Sequence, residues 1–345
     1  MKNTRIGAIV AAVGVSVLAL TGCAAASAGS GSGEDAPLRI GVAVYANSSF
    51  ITQGHEGVDA YAEANDIEVL WQAADFDVNT QATQVEQLIN QGVDAILLAP
   101  VQADSLGPQL ALAQEKGIPV IAVNAELDDD STLASSVQPD DVAAGKQAAQ
   151  MMIDHLGGEG NVLVLQGALG SSFEINRTDG MTQAIEAAPD ITVLAEDSGE
   201  WSRDTSINLV RTWINNFGDQ IDGIIAQNDD MALGALQAAR EAGVEIPVVG
   251  IDGIEDALNA VRDGEMVGTQ LQHGRIELAA GLAVAQRVAL GEPVEPIYHY
   301  IMPPVTQDNV DAVITNVVTD KDALLARLPE LIDKNLASGD IANEE

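Results

Sequence analysis

Four polar residues stand directly after apolar runs: Asn124 after PVIAV, Asn228 after IIAQ, Asp252 after VVGI, and Gln272 at the end of Val267–Leu271. Amides and a carboxylate so placed offer paired hydrogen-bond donors and acceptors. That is the chemistry of holding a small polar molecule without making or breaking its bonds. Any one of the four reads equally well as a helix cap or turn former, and Asn228-Asp229-Asp230 ahead of MALGALQAAR is a good helix start. Four at corresponding places point to a shared site. Catalytic sets are missing. The histidines His55, His155, His273 and His299 fall in no HExxH spacing, and no GxSxG elbow occurs. Gly167-Ala168-Leu169-Gly170 lacks the Lys and Ser/Thr of a phosphate loop. Asp128-Asp129-Asp130 lacks the spacing of a calcium loop and reads as a solvated turn. The expectation is a binding protein, not an enzyme, with no cofactor and no metal.

The elements that must position these residues alternate short apolar runs with longer amphipathic ones. Strands are expected at Leu38–Val44, Ala95–Ala99 and Pro119–Val123, with helices at Thr52–Asn65, Gln81–Asn90 and Ser105–Lys116. After Gln138-Pro139-Asp140-Asp141 a second array begins. Its strands are Asn161–Leu165, Thr192–Ala195, Gly223–Ala226 and Pro247–Ile251, with helices near 141–156, 174–188, 204–217 and 230–242. Two consecutive arrays of nearly uninterrupted hydrophobic strands predict an α/β protein of two doubly wound parallel-sheet lobes. Ligands of such sheets collect beyond the carboxyl ends of the strands, where the four polar residues lie.

The chain begins with Lys2 and Arg5 ahead of an apolar run, Ile6 to Leu20, which ends in Leu20-Thr21-Gly22-Cys23. This pattern predicts an export signal over residues 1–22. Fifteen residues are too few to span a bilayer, which takes ~20. Cys23, the sole cysteine, has no disulfide partner within the chain. Its position resembles the lipobox of bacterial lipoproteins, which implies lipid attachment at Cys23. The protein would then be exported and tethered to the membrane, on a periplasmic or extracellular face. Residues 23–37 read as a flexible tether. Acid dominates the rest: 52 Asp and Glu against 15 Lys and Arg, a formal charge of −37. Such a surface repels nucleic acid and favours solubility.

The run Ala226-Gln227-Asn228-Asp229-Asp230-Met231-Ala232-Leu233-Gly234-Ala235-Leu236 is similar to the sugar-binding proteins of bacterial ABC importers, the ribose-binding type. Val248-Val249-Gly250-Ile251-Asp252-Gly253 resembles their next strand and turn. Gln166-Gly167 with Arg177 and Gly180, and the opening IGVAVYANSSF, match as well, so the resemblance covers roughly residues 38 to 305. It implies two lobes joined by three crossovers, near 137–140, 272–274 and 303–305, around one small ligand. The N-terminal lobe would comprise 38–138 plus 274–302. The C-terminal lobe would comprise 139–272 plus 303–345, with an extra helix, 320–337, packed on it.

Carried over residue by residue, the resemblance makes Phe50 and Trp201 aromatic plates against opposite faces of a sugar or polyol. Ser48 stays polar beside Phe50. Arg177 would donate a fork of hydrogen bonds, Asp252 would accept, and Asn228 and Gln272 would do both. Two features depart from the pattern. Ile51, next to Phe50, stands where the family has a second aromatic. Where the ribose type carries an Asp-Arg pair, this chain has Asn124-Ala125, which tells against ribose and leaves other pentoses, hexoses, sugar alcohols and inositols. Glu126 is a candidate replacement acid and Phe173 a candidate extra aromatic. His273, near a crossover, either touches ligand or caps a turn. The implied function is a substrate-binding protein, monomeric, that delivers a sugar or polyol to an ABC permease in the membrane. A sensory receptor of the same fold is the alternative. A repressor is excluded, because signal and tether occupy the place of a helix-turn-helix.

Overall fold

Strands apolar on both faces need helices on both faces, and the chain supplies them in alternation. A computed structural model describes residues 37–341 and 343–344. The expected signal segment, Cys23 and all but the last residue of the expected tether lie outside the described residues.

Five strands come first: β1 (Leu38–Val44), β2 (Ile67–Ala73), β3 (Ala95–Leu98), β4 (Val120–Val123) and β5 (Ser135–Pro139). Between them run α1 (Ser49–Ala64), α2 (Val78–Gln91) and α3 (Gly107–Lys116), and the strands pair in the parallel order β5-β4-β3-β1-β2. α4 (Asp141–His155) leads to a second parallel sheet of β6 (Gly160–Gln166), β7 (Ile191–Ser198), β8 (Gly223–Ala226) and β9 (Val248–Val249), in the order β7-β6-β8-β9. Its helices are α5 (Ser172–Glu186), α6 (Arg203–Phe217), α7 (Asp229–Ala242) and α8 (Glu255–Arg262). β10 (Thr269–Gln270) hands the chain back to α9 (Gly274–Ala289), which packs on β3 and β4. β11 (Ile297–Tyr300) then adds a sixth strand beside β5, and β12 (Pro304–Val305) pairs antiparallel with β10. α10 (Val310–Ile314) and α11 (Lys321–Ser338) close the chain. The result is the two-lobed, doubly wound α/β architecture.

Local chemistry explains the helix boundaries. Ser48, Asp77, Asp140 and Asn228 each accept a backbone N–H of the helix they precede, at 2.6–3.2 Å. Gly92, Gly117 and Gly243 end α2, α3 and α7 in the left-handed conformation. Several helices approach one another so closely that only glycine fits at the crossing. A methyl on Gly57 of α1 would strike the Arg275 carbonyl of α9, and one on Gly145 of α4 would strike the Arg177 carbonyl of α5. The second crossing fixes the backbone that carries Arg177.

The structure differs from the sequence pattern in three places. β2 is half-buried and mixes polar with apolar residues, so it lacks the apolar run that marks the other strands. β5 and β11 are full members of the first sheet. The last helix does not pack on the second lobe as expected. Leu324, Leu328, Leu331, Ile332 and Leu336 are buried on α11, and α11 packs on α1 and α9. Lys321 and Arg275 share Glu56 of α1, at 2.9 and 2.7 Å, and Arg287 bonds Asp333, which pins the helix to the first lobe.

Candidate ligand-binding site

Beyond the strand ends of both sheets lies one cavity, lined by Tyr45, Ser48, Phe50, Phe76, Asn124, Phe173, Arg177, Trp201, Asn228, Asp252 and Gln272. All eight residues picked from the sequence are among them. The cavity volume is about 20 Å³, room for about one water and far below the usual size of a ligand pocket. The chain has only eleven Phe, Trp and Tyr residues, and five of them line this one space. Tyr45 stacks on Phe76 at 5.4 Å, Phe173 meets Tyr45 at 5.3 Å, and Trp201 meets Phe173 at 4.7 Å. These rings make a continuous apolar wall suited to C–H faces. The buried indole N–H of Trp201 has no partner among the described residues.

Arg177 organises the polar side. It is 3% exposed, and its Nε donates to Asp141 at 2.7 Å. Nη1 donates to the Gln227 carbonyl at 2.7 Å and Nη2 to Gln272 Oε1 at 2.9 Å. Asp252 Oδ1 lies 3.7 Å from Nη1. Three of the five guanidinium N–H groups thus go to internal partners, and Asp141 answers its charge. Burial works against its charge, but Asp141 and Asp252 more than offset this and hold its pKa above the usual arginine range. Burial pushes Asp141 up to about 6 against the opposing pull of Arg177. Asp252 is raised well above the carboxylate range, chiefly by burial.

The turn that carries Asp252 is strained, with φ +132°. Asp229 over-determines it: its carboxylate accepts from Gly253 N at 2.8 Å, Ile254 N at 3.0 Å and the Thr269 hydroxyl at 2.7 Å. Burial nonetheless moves Asp229 up to about 7. Phe76, Asn124 and Trp201 also have left-handed backbones, so unusual φ clusters on the cavity wall. Asn124 accepts from Tyr45 Oη at 3.0 Å, and Asn228 uses its oxygen to cap α7, which leaves its amide NH₂ for the cavity.

Phe173 does line the cavity. Glu126 does not, so it cannot replace the missing acid. It is exposed at the rim, where its N–H donates to Ser172 Oγ at 2.7 Å and its carboxylate accepts from Asn176 at 3.0 Å. Ala103 N–H donates to the Gly170 carbonyl at 3.0 Å beside it. These bonds join loops of the first lobe to α5 and its approach, and close the rim. His273 is also outside the lining; its Nε2 faces Glu344 at 3.3 Å. Tyr45 was missed although it follows β1, where the strand-end rule applies. Phe76 follows the unanticipated β2, and nothing in the sequence marked Asp141 or Glu277 as support for the site.

Among the described residues no three His, Cys, Asp or Glu side chains are placed to hold a metal ion. The geometry offers hydrogen bonds and apolar faces, with no nucleophile paired to a base.

Comparison with known proteins agrees. The model of the periplasmic binding protein domain matches residues 40–293. A xylitol-binding protein of Mycolicibacterium smegmatis is 56% identical over 343 residues, 99% of this chain and 97% of that protein. A ribose import binding protein of Haemophilus influenzae is 30% identical over 258 residues, 75% of this chain and 87% of that protein. An ABC transporter solute-binding protein of Bacillus halodurans, solved with myo-inositol bound, superposes with a TM-score of 0.77 at 30% identity, covering 82% of this chain and 99% of that one. This chain belongs to the periplasmic binding protein family, whose members are solute-binding proteins and not enzymes.

Proposed function

We propose that the protein is the lipid-anchored, monomeric receptor of an ABC importer, and that its ligand is a small neutral polyol, xylitol first among the candidates. The observation that carries this reading is the charge balance of the cavity. Among the described residues its only lining charges are Arg177 and Asp252, and Arg177 is already paired with Asp141. No unmatched cation is left in that lining for a sugar acid or phosphate, whereas hydroxyls can use every group present. The relative with the xylitol-binding name supports the choice of ligand, and its match extends over nearly the whole chain. The eight residues picked from the sequence would be the contacts.

In this reading an open form admits the polyol and closure buries it. Contacts available only when closed shift the population toward that state. The rim bonds from Ala103 and Glu126 must break before release. A permease would accept the cargo from the closed form, and the lipid at Cys23 would keep the receptor beside it.

A thermal-shift panel of pentoses, hexoses, sugar alcohols, inositols and amino acids tests the assignment. A ligand that binds only the folded state raises the melting temperature by mass action. The reading predicts a rise with a polyol that is abolished in Trp201→Ala and Asp252→Ala. A rise with amino acids alone would overturn it.

A further inference from the structure

Behind the cavity wall, and absent from its lining, sits the carboxyl group of Glu277, 1% exposed on α9. Asn124 Nδ2 donates to it at 3.3 and 3.4 Å, and Gln272 Nε2 donates at 3.2 Å. Both amide nitrogens therefore turn toward one buried oxygen, Oε2. The opposite ends of the same amides face the cavity: Asn124 Oδ1 accepts from Tyr45, and Gln272 Oε1 accepts from Arg177, both lining residues. Each carbonyl oxygen accepts two hydrogen bonds, so each keeps one acceptor site for a ligand. Arg177, which can only donate, already fixes the Gln272 oxygen. Without Glu277 nothing would prefer nitrogen to oxygen behind Asn124, whose partner Tyr45 Oη can donate or accept, so that amide could turn over.

We propose that Glu277 is a positioning residue that sets ligand selectivity by locking the Asn124 amide with its oxygen toward the ligand, beside the Gln272 oxygen that Arg177 holds. This rests on the neutral-polyol reading and deepens it. The wall so formed accepts hydrogen bonds. It welcomes a hydroxyl, which donates, and rejects a group of similar size that only accepts, such as fluorine or a carbonyl. Such a group would set lone pair against lone pair in a buried site, where an unpaired polar group is costly.

The test has two parts. Nuclear Overhauser spectra of ¹⁵N-labelled protein should show a cross-peak between the side-chain NH₂ groups of Asn124 and Gln272, because both nitrogens bond Oε2; this readout needs no ligand. Its absence overturns the proposal. Calorimetric titration then compares xylitol with its monodeoxyfluoro analogues. For wild type, at least one analogue should bind about tenfold or more weaker than xylitol. In Glu277→Gln, whose amide can also donate, that discrimination should collapse. In the double variant Asn124→Asp/Glu277→Gln it should return, since the introduced carboxylate can show the ligand only oxygens while the introduced amide donates to it. A purely structural role predicts instead that Glu277→Gln weakens every analogue alike and that the double variant rescues nothing. That result refutes the inference. If the cross-peak is present but no polyol binds wild type, the polyol reading fails and the amide orientation stands.

Discussion

Gly167 makes the role of Trp201 testable without touching the ring. A methyl built on Gly167 would overlap Cζ2, Cε2 and Cη2 of Trp201, far inside the 3.4 Å of ordinary contact. The backbone of Gly167 lies outside the left-handed region, so alanine adds no backbone strain there. The ring must therefore retreat in Gly167→Ala. Losing roughly 50 Å² of apolar contact removes about 1 kcal/mol, and losing the fitted aromatic geometry removes about 1 kcal/mol more. Together these weaken polyol binding roughly 30-fold. Calorimetry with xylitol measures this, while thermal unfolding checks that the fold survives. The decisive comparison is a cycle: Gly167→Ala should cost affinity in wild type and almost nothing in Trp201→Ala. Equal costs in both backgrounds would refute the placement of the ring against ligand.

Three further outcomes follow from buried groups. Burial raises Asp141, Asp229 and Glu277 to about 6, 7 and 8. Such raised acids stabilise the fold fully below about pH 4, and that contribution is lost as pH rises through the folded values. Ligand-free protein should thus melt higher at pH 5 than at pH 8, and Glu277→Gln should reduce the slope, by an amount of order 5 kcal/mol at most; a melting temperature that rises toward pH 8 contradicts this. Arg177→Met leaves Asp141 buried without its partner, and should cost about 3–5 kcal/mol in urea unfolding; a change below about 1 kcal/mol would mean that Asp141 is not held as described. Leu328, fully buried on α11, should cost about 2–5 kcal/mol on change to Ala; a neutral effect would deny that α11 is part of the first lobe's core.

Much of the site could be read from the sequence because strand order and strand ends are local facts. Asn124, Asn228 and Asp252 follow apolar runs, and parallel sheets bring such ends together. Phe50, Trp201 and Arg177 came from resemblance, since no periodicity marks them. What escaped depends on tertiary contact. β2 is an edge strand with a mixed pattern, so Phe76 after it had no frame. Glu277 sits inside an ordinary helical stretch, and only the fold brings it within reach of Asn124, 153 residues away. α11 was expected on the wrong lobe for the same reason: an amphipathic helix shows which face it buries, not against what.

The most direct test of the central claim is calorimetric titration of the protein with xylitol and, in parallel, with D-xylonate, which has the same carbon skeleton and a negative charge. A cavity whose arginine is already matched by Asp141 predicts saturable one-to-one binding of xylitol and none of xylonate at the same concentration. Binding of xylonate with no response to xylitol or any other neutral polyol would contradict it.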